Sequence, residues 1–247
     1  MNAMWNWLLV TFVSLVFAFP AFATEVHVLS AGAIELGLVV AADAFRKETG
    51  NTVTINYATT PEIRRRLGTG EMPDMVIAPP AALDEVAKSG KLDGEARVEV
   101  GHVGIGVAVR DGVPKPDIST TEAFKRAVLA ADTLVYNKAS SGLFVEGLLQ
   151  RLGLAEQTQA KTTRYAGSEM FEHVIKGQGN ELAFSPITEI LLYRGKGLQL
   201  VGALPAEIQN FTTYAAEPAA QSEVALAFVR FLGTPAAKAI FVAAGVE

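Results

Sequence analysis

The chain has 247 residues, half of them hydrophobic, with a formal net charge of −5 and no cysteine. An acidic balance argues against nucleic acid as a partner, which needs a basic face; a small anion stays open, because an enclosed ligand responds to local dipoles rather than to total charge. Without cysteine there are no disulfides, no thiolate metal sites and no lipid-modified N-terminal cysteine.

Trp5 to Phe19 is almost wholly apolar, and Pro20-Ala21-Phe22-Ala23 follows as a small-residue cleavage site. The segment reads as an export signal, residues 1–23, cleaved after Ala23 to leave a periplasmic protein. One feature departs from the pattern: no Lys or Arg precedes the apolar run. The run is too short for a comfortable membrane span, and no later segment is long and apolar enough. Roughly 220 residues remain, enough for one large domain or two small ones.

From there strands and helices alternate. Glu25 to Ser30 reads as a strand, and Ile34, Leu38, Ala42 and Phe45 mark one face of a helix that stops at Gly50. Thr52 to Tyr57 is a second strand; the next helix opens with Thr60 as N-cap and Pro61 at the first helical position. Asp74 to Ala78 is a buried strand, and Pro79-Pro80 introduces a helix ending near Gly90. Gly101 to Arg110 is a long β-rich run, followed by a loop over 111–116.

A second alternating series begins with a capping box, Ser119 with Glu122, and the helical face Phe124, Ala127, Val128 and Ala131. Leu134 to Tyr136 is a strand, followed by a helix marked by Phe144, Leu148 and Leu152. Strand–helix units follow over 161–176 and 181–194, then a strand over 198–204. Gln209 to Tyr214 is β-rich again. Two helices close the chain, one with Val224, Phe228, Phe231 and Leu232 on one face, the other starting at Thr234-Pro235.

Such alternation predicts an α/β protein with parallel-rich sheets. The simplest architecture is two lobes, residues 24–110 plus 206–247 and residues 111–205, joined by β-rich crossings. Five times a strand runs into a small turn that opens a helix: Ser30-Ala31-Gly32-Ala33, Thr59-Thr60-Pro61, Ser140-Ser141-Gly142, Gly167-Ser168 and Ser185-Pro186. Helix N-termini offer unpaired N–H groups and partial positive charge, so each turn is a candidate anion contact as well as an ordinary cap. Ligands of open parallel sheets lie beyond the carboxyl ends of the strands. If both lobes face one cleft, the five turns converge on it and the molecule is a hinged solute trap.

The stretches VLSAGAIEL, INYATTPEIRRRL, PDMVIA, SSGLFVEGLLQRLG and AFVRFLGTPAAKAIF, with this order of elements, resemble type II periplasmic solute-binding proteins of ABC transporters, specifically the molybdate-binding group. The resemblance covers essentially the whole mature chain. It implies a two-lobed fold and a desolvated tetrahedral oxyanion, molybdate or tungstate first, held by neutral donors without a metal–ligand bond or a cofactor. It also implies delivery to an inner-membrane permease, and a monomer is expected. By this resemblance the first-turn serine falls at Ala33, which loses the hydroxyl, with Ser30 or the Gly32 backbone to compensate. The second-turn hydroxyl falls at Thr60, next to Thr59. Backbone donors fall at Ser141, beside Ser140, and near Ser168. The tyrosine that caps the anion falls near Pro186, so its phenol is missing.

With two side-chain donors absent, a small organic carboxylate is the alternative ligand. Arg64, directly after the Thr60 helix start, is then a candidate clamp, whereas a solvated helix face is the ordinary reading of Arg64, Arg65 and Arg66. His27, His102 and His173 are scattered, without the i, i+4 spacing of a metal pair. No G-x-S-x-G elbow anchors a hydrolase triad. Glu169 beside a ligand turn is expected to face solvent or cap its helix. An enzyme on the same fold needs a positioned acid–base pair, which the linear sequence does not display; a regulator's effector domain is disfavoured by the export signal and the missing helix-turn-helix.

Overall fold

The computed structural model describes residues 24–88, 90, 92–219 and 222–247. The export signal expected over 1–23 lies outside the described residues.

The first lobe opens with three parallel strands, β1 (Glu25–Ala31), β2 (Thr52–Ala58) and β3 (Met75–Ala78), alternating with helices α1 (Glu35–Thr49), α2 (Thr60–Gly68) and α3 (Pro80–Ala87). Leu38, Ala42 and Phe45 recur at helical spacing and bury one face of α1. Glu35 in its first turn and Arg46 and Lys47 in its last complement the helix dipole. The helix ends where Gly50 takes a left-handed φ of 79° and its N–H bonds Arg46 O.

The crossing segment is β4 (Val98–Arg110), a 13-residue strand shared by both lobes. Its first half pairs antiparallel with β9 (Phe211–Pro218), and β9 pairs with β3. Its second half pairs with β7 (Glu181–Pro186) and β8 (Leu198–Ala203). Beyond β7 lie β5 (Thr133–Asn137) and β6 (Thr162–Tyr165), parallel again. The strand order is β2-β1-β3-β9-β4-β7-β5-β6, with β8 also on β4. Pairing is thus parallel among β1, β2 and β3 and among β5, β6 and β7, and antiparallel wherever β4 or β9 takes part.

The second lobe carries α4 (Thr121–Ala130), α5 (Ser140–Arg151), α6 (Ala155–Gln159), α7 (Glu169–Lys176) and α8 (Ile187–Leu192); α9 (Glu223–Leu232) and α10 (Pro235–Ala243) return to the first. One core gathers Leu38, Phe45, Val103, Phe228 and Phe241, with the rings of Phe45 and Phe228 4.9 Å apart. The other gathers Ile105, Val107, Phe124, Leu134 and Phe184, with Phe124 edge-on to Phe184 at 6.0 Å. Each such aromatic contributes about 1.5–3 kcal/mol by burial. The division falls inside β4, between Val103 and Ile105. Below β9, fully buried Glu217 accepts from Arg97 Nε at 2.7 Å, and Arg97 reaches Asp84 at 2.7 Å.

Two local expectations are corrected. The α4 cap is Thr120, whose hydroxyl accepts from Ala123 N–H at 3.1 Å, while Ser119 gives its own N–H to Asp117; the cap lies one residue later than the Ser119–Glu122 box. Thr60 is the first residue of α2, and the N-cap position is Thr59. The short helix α6 carries no signal strong enough to separate it from a turn.

Candidate functional site: the inter-lobe cleft

A cavity of ≈ 430 Å³ opens between the lobes, and all five helix-opening turns reach its wall. The first lobe contributes Gly32 and Ala33 after β1 and Thr59 and Thr60 after β2. The second contributes Ser140 and Ser141 after β5, Gly167 and Ser168 after β6, and Pro186 at the end of β7. These are carboxyl ends of strands in a parallel set, where an open α/β sheet leaves its crevice.

Side-chain caps occur only away from the cavity among the described helices, although α1, α3 and α6 lack one as well. Helices α4, α9 and α10 each have a side-chain cap, from Thr120, Ser222 and Thr234, and none of these residues lines the cavity. At the cavity, the N-cap positions Ala31, Thr59, Ala139, Ser168 and Pro186 make no side-chain cap bond. First-turn amides that no side chain engages, such as those of Thr60, Ser140 and Ser141, are left for an anion in the cavity.

Asn137 shapes the start of α5. It is buried, and its Oδ1 accepts from Ala139 N–H at 3.0 Å, Ser141 Oγ at 3.2 Å and Gly142 N–H at 3.2 Å. Gly142 permits that fit: a Cβ there would lie 1.7 Å from Asn137 O. The lobes also touch at the cleft base, where Thr188 Oγ1 donates to Ala33 O.

Charged and phenolic groups absent from the sequence-based site complete the walls: Glu35, Tyr57, Glu189, Lys196 and Tyr214. The Glu189 carboxyl accepts from Ser185 Oγ at 2.7 Å through Oε2. Burial pushes its pKa above the ordinary carboxylate value, the Ser185 bond pulls the other way, and Glu35 adds to the rise. Glu35 is raised by burial too, offset by Lys196. Burial also lifts the Tyr57 and Tyr214 phenols, so both stay protonated donors through the physiological range. The Tyr57 hydroxyl is buried and has no hydrogen-bond partner among the described residues. The cleft therefore offers uncharged donors, one cation at its edge and two carboxyls that burial biases toward the protonated form.

Other expected residues fall elsewhere. Ser30 is fully buried, and its hydroxyl donates to Ala31 O at 3.1 Å, so the side chain is not on the wall. Arg64 pairs with Glu85 at 2.8 Å, outside the cavity lining, and Arg65 and Arg66 pair with Glu62 and Glu71. Glu169 is exposed, as expected. His173 bonds the Tyr165 hydroxyl at 2.7 Å, and His102 stacks edge-on against Phe211. A signal for Tyr57 and Asn137 did exist, since both lie at the carboxyl end of a parallel strand. Glu189 lies four residues beyond Ser185, in the first turn of α8 just after β7 ends.

Residues 26–247 match the family described as bacterial extracellular solute-binding protein. The chain belongs to that family. It is 33% identical over 227 residues to a protein named aconitate isomerase from a Pseudomonas species, a match covering 88% of this chain and 86% of the relative. Among solved structures, the periplasmic molybdate-binding protein of Azotobacter vinelandii superposes with a TM-score of 0.74 at 19% identity, covering 90% of this chain and 99% of that one. The sulfate-binding protein of Mycobacterium tuberculosis superposes with a TM-score of 0.72 at 18% identity, over 90% of this chain and 86% of that one. At these identities the structural likeness establishes the type II periplasmic-binding fold.

Proposed function

We propose that this solute-binding protein is a periplasmic receptor that takes a small organic polycarboxylate into the cleft between its lobes and, as a monomer, delivers it to an ABC permease. The ligand contacts in this reading are Gly32, Ala33, Thr59, Thr60, Ser140, Ser141, Ser168 and Pro186, joined by Tyr57, Glu189 and Lys196.

The observation that carries the reading is the Glu189 carboxyl in the cavity wall. A fully deprotonated tetrahedral dianion brings no proton to share with that carboxyl and meets like charge whenever Glu189 is ionised. A polycarboxylic acid can share a proton with Glu189, carboxyl to carboxyl, and give its other carboxylates to helix starts and to Lys196. Size supports the same choice. At about 30 Å³ per water-sized group, ≈ 430 Å³ has room for roughly a dozen such groups, whereas a tetrahedral oxyanion has only a central atom and its oxygens. Aconitate, named in the Pseudomonas relative, is a six-carbon tricarboxylate that suits this volume.

Calorimetric titration with cis- and trans-aconitate, citrate, succinate, molybdate, tungstate and sulfate tests the reading. One-to-one binding of tricarboxylates with weak or no binding of the inorganic oxyanions is expected. Tight binding of molybdate and tungstate alone overturns it. A second reading, isomerisation of the bound acid, is favoured by that relative's name and by the ionisable group placed against the ligand space.

A further inference from the structure

The cleft brings together what the linear sequence does not display, a carboxyl placed for proton transfer beside a set of neutral donors. Glu189 is anchored on one oxygen by Ser185. Its other oxygen, Oε1, lies beside the Gly32 turn, 3.6 Å from where a Cβ on that glycine would sit, and both Gly32 and Glu189 line the cavity. Around it, Tyr214 and Tyr57 are neutral phenols, and Glu35 lies within electrostatic reach of both Glu189 and Lys196. Glu189 is thus a wall carboxyl with one oxygen fixed by a side-chain bond and the other, beside the Gly32 turn, without a hydrogen bond among the described residues.

We propose that Glu189 is a catalytic acid–base residue that moves a proton between the two allylic carbons of an unsaturated tricarboxylate held in the cleft; this rests on the polycarboxylate reading above. Glu189 Oε1 takes a proton from the methylene carbon next to a carboxylate. The C–H electron pair becomes the new carbon–carbon double bond. The old double-bond pair shifts to the far carbon, which takes a proton from Glu189, whose carboxyl proton can exchange with solvent between the two transfers. Nothing is oxidised or reduced, and the carboxylate is regenerated. The double bond has moved one carbon along a skeleton that reads the same from both ends, which interconverts the geometric isomers. The charge that develops on the ligand carboxylates between the two transfers is met by the first-turn amides of α2, by the Ser140 and Ser141 amides of α5 that Asn137 does not engage, and by the unpartnered Tyr57 hydroxyl. A carboxyl whose basicity burial has increased is a better proton acceptor near neutral pH than an exposed one. Ser185 acts as a positioning residue.

The experiment is proton NMR of the purified exported protein with trans-aconitate in deuterium oxide, alongside calorimetric affinities. Wild type should produce cis-aconitate and wash deuterium into the methylene and vinyl positions. Glu189→Gln should lose turnover and exchange by at least ~100-fold, with affinity changed by no more than a few-fold. Ser185→Ala keeps the carboxyl but removes the bond that lowers its pKa, so the basic group in the pH–rate profile should shift to higher pH; a merely structural serine leaves the profile in place. That profile decides the matter if the Gln variant does not fold. Wild type that binds trans-aconitate but neither isomerises nor exchanges it overturns the catalytic inference and leaves the receptor reading standing. Turnover that survives Glu189→Gln overturns the assignment of Glu189. Absence of tricarboxylate binding overturns both.

Discussion

Asn137→Asp separates the stability of the α5 start from its use as an anion site. The substitution is nearly isosteric, and a carboxylate can accept the same bonds from Ala139 N–H, Ser141 Oγ and Gly142 N–H. A negative charge at a helix N-terminus is favoured by ~0.3–1 kcal/mol, which offsets part of the cost of ionising a buried group. Melting temperature should therefore change little. Affinity should fall sharply, because Asn137 lines the cavity and the new charge faces the ligand. With an effective dielectric near 20 and a separation of ~6 Å, the repulsion is about 2–3 kcal/mol per ligand charge, or roughly 30- to 150-fold in Kd. Calorimetry with trans-aconitate, paired with thermal melting, measures both quantities. Unchanged affinity in a stably folded variant refutes the reasoning: the anion is then not held at the start of α5.

Thr60→Ala should weaken ligand binding by about 1–2 kcal/mol through loss of one charge-assisted bond; since Thr60 makes no cap bond, melting should hardly move, and wild-type affinity would remove it from the site. Arg64→Ala should leave affinity unchanged, because its guanidinium pairs with Glu85 outside the cavity lining; a large loss of binding would restore Arg64 as a clamp. Arg97→Ala strands fully buried Glu217 and should cost about 3–5 kcal/mol, lowering the melting temperature by roughly 10 °C; a shift of a degree or two would mean that water reaches the Glu217 carboxyl. Glu189 has a pKa raised above 4.5 in the folded state, so the stability it contributes is complete below pH 4.5 and is lost as pH rises through the folded value. Glu189→Gln should match wild type in melting temperature near pH 4 and exceed it increasingly at higher pH; a difference that stays flat with pH contradicts the burial argument.

The sequence by itself determined the strands, most of the helices and the positions of the five turns, because these rest on local physics. Period-3.6 burial in α1, the left-handed glycine at Gly50 and the proline early in α2 are all readable within a few residues. Where local signals compete, as between Ser119 and Thr120 for the α4 cap, the reading slipped by one residue, since either hydroxyl satisfies the pattern and only the backbone angle at the cap chooses. Tertiary structure alone decided which groups share the cleft. Tyr57 ends one strand, Glu35 opens a helix after another and Tyr214 lies far along the chain in β9, yet sheet order brings all three to one wall. It also decided which hydroxyls are already engaged: Ser30 with its neighbour's carbonyl, Ser185 with Glu189, Thr188 across the lobes to Ala33. A serine in a turn has several partners within reach, and the sequence carries no distance. The charge state of the cleft was likewise out of reach, because burial raises a carboxyl's pKa only once the fold has removed its water.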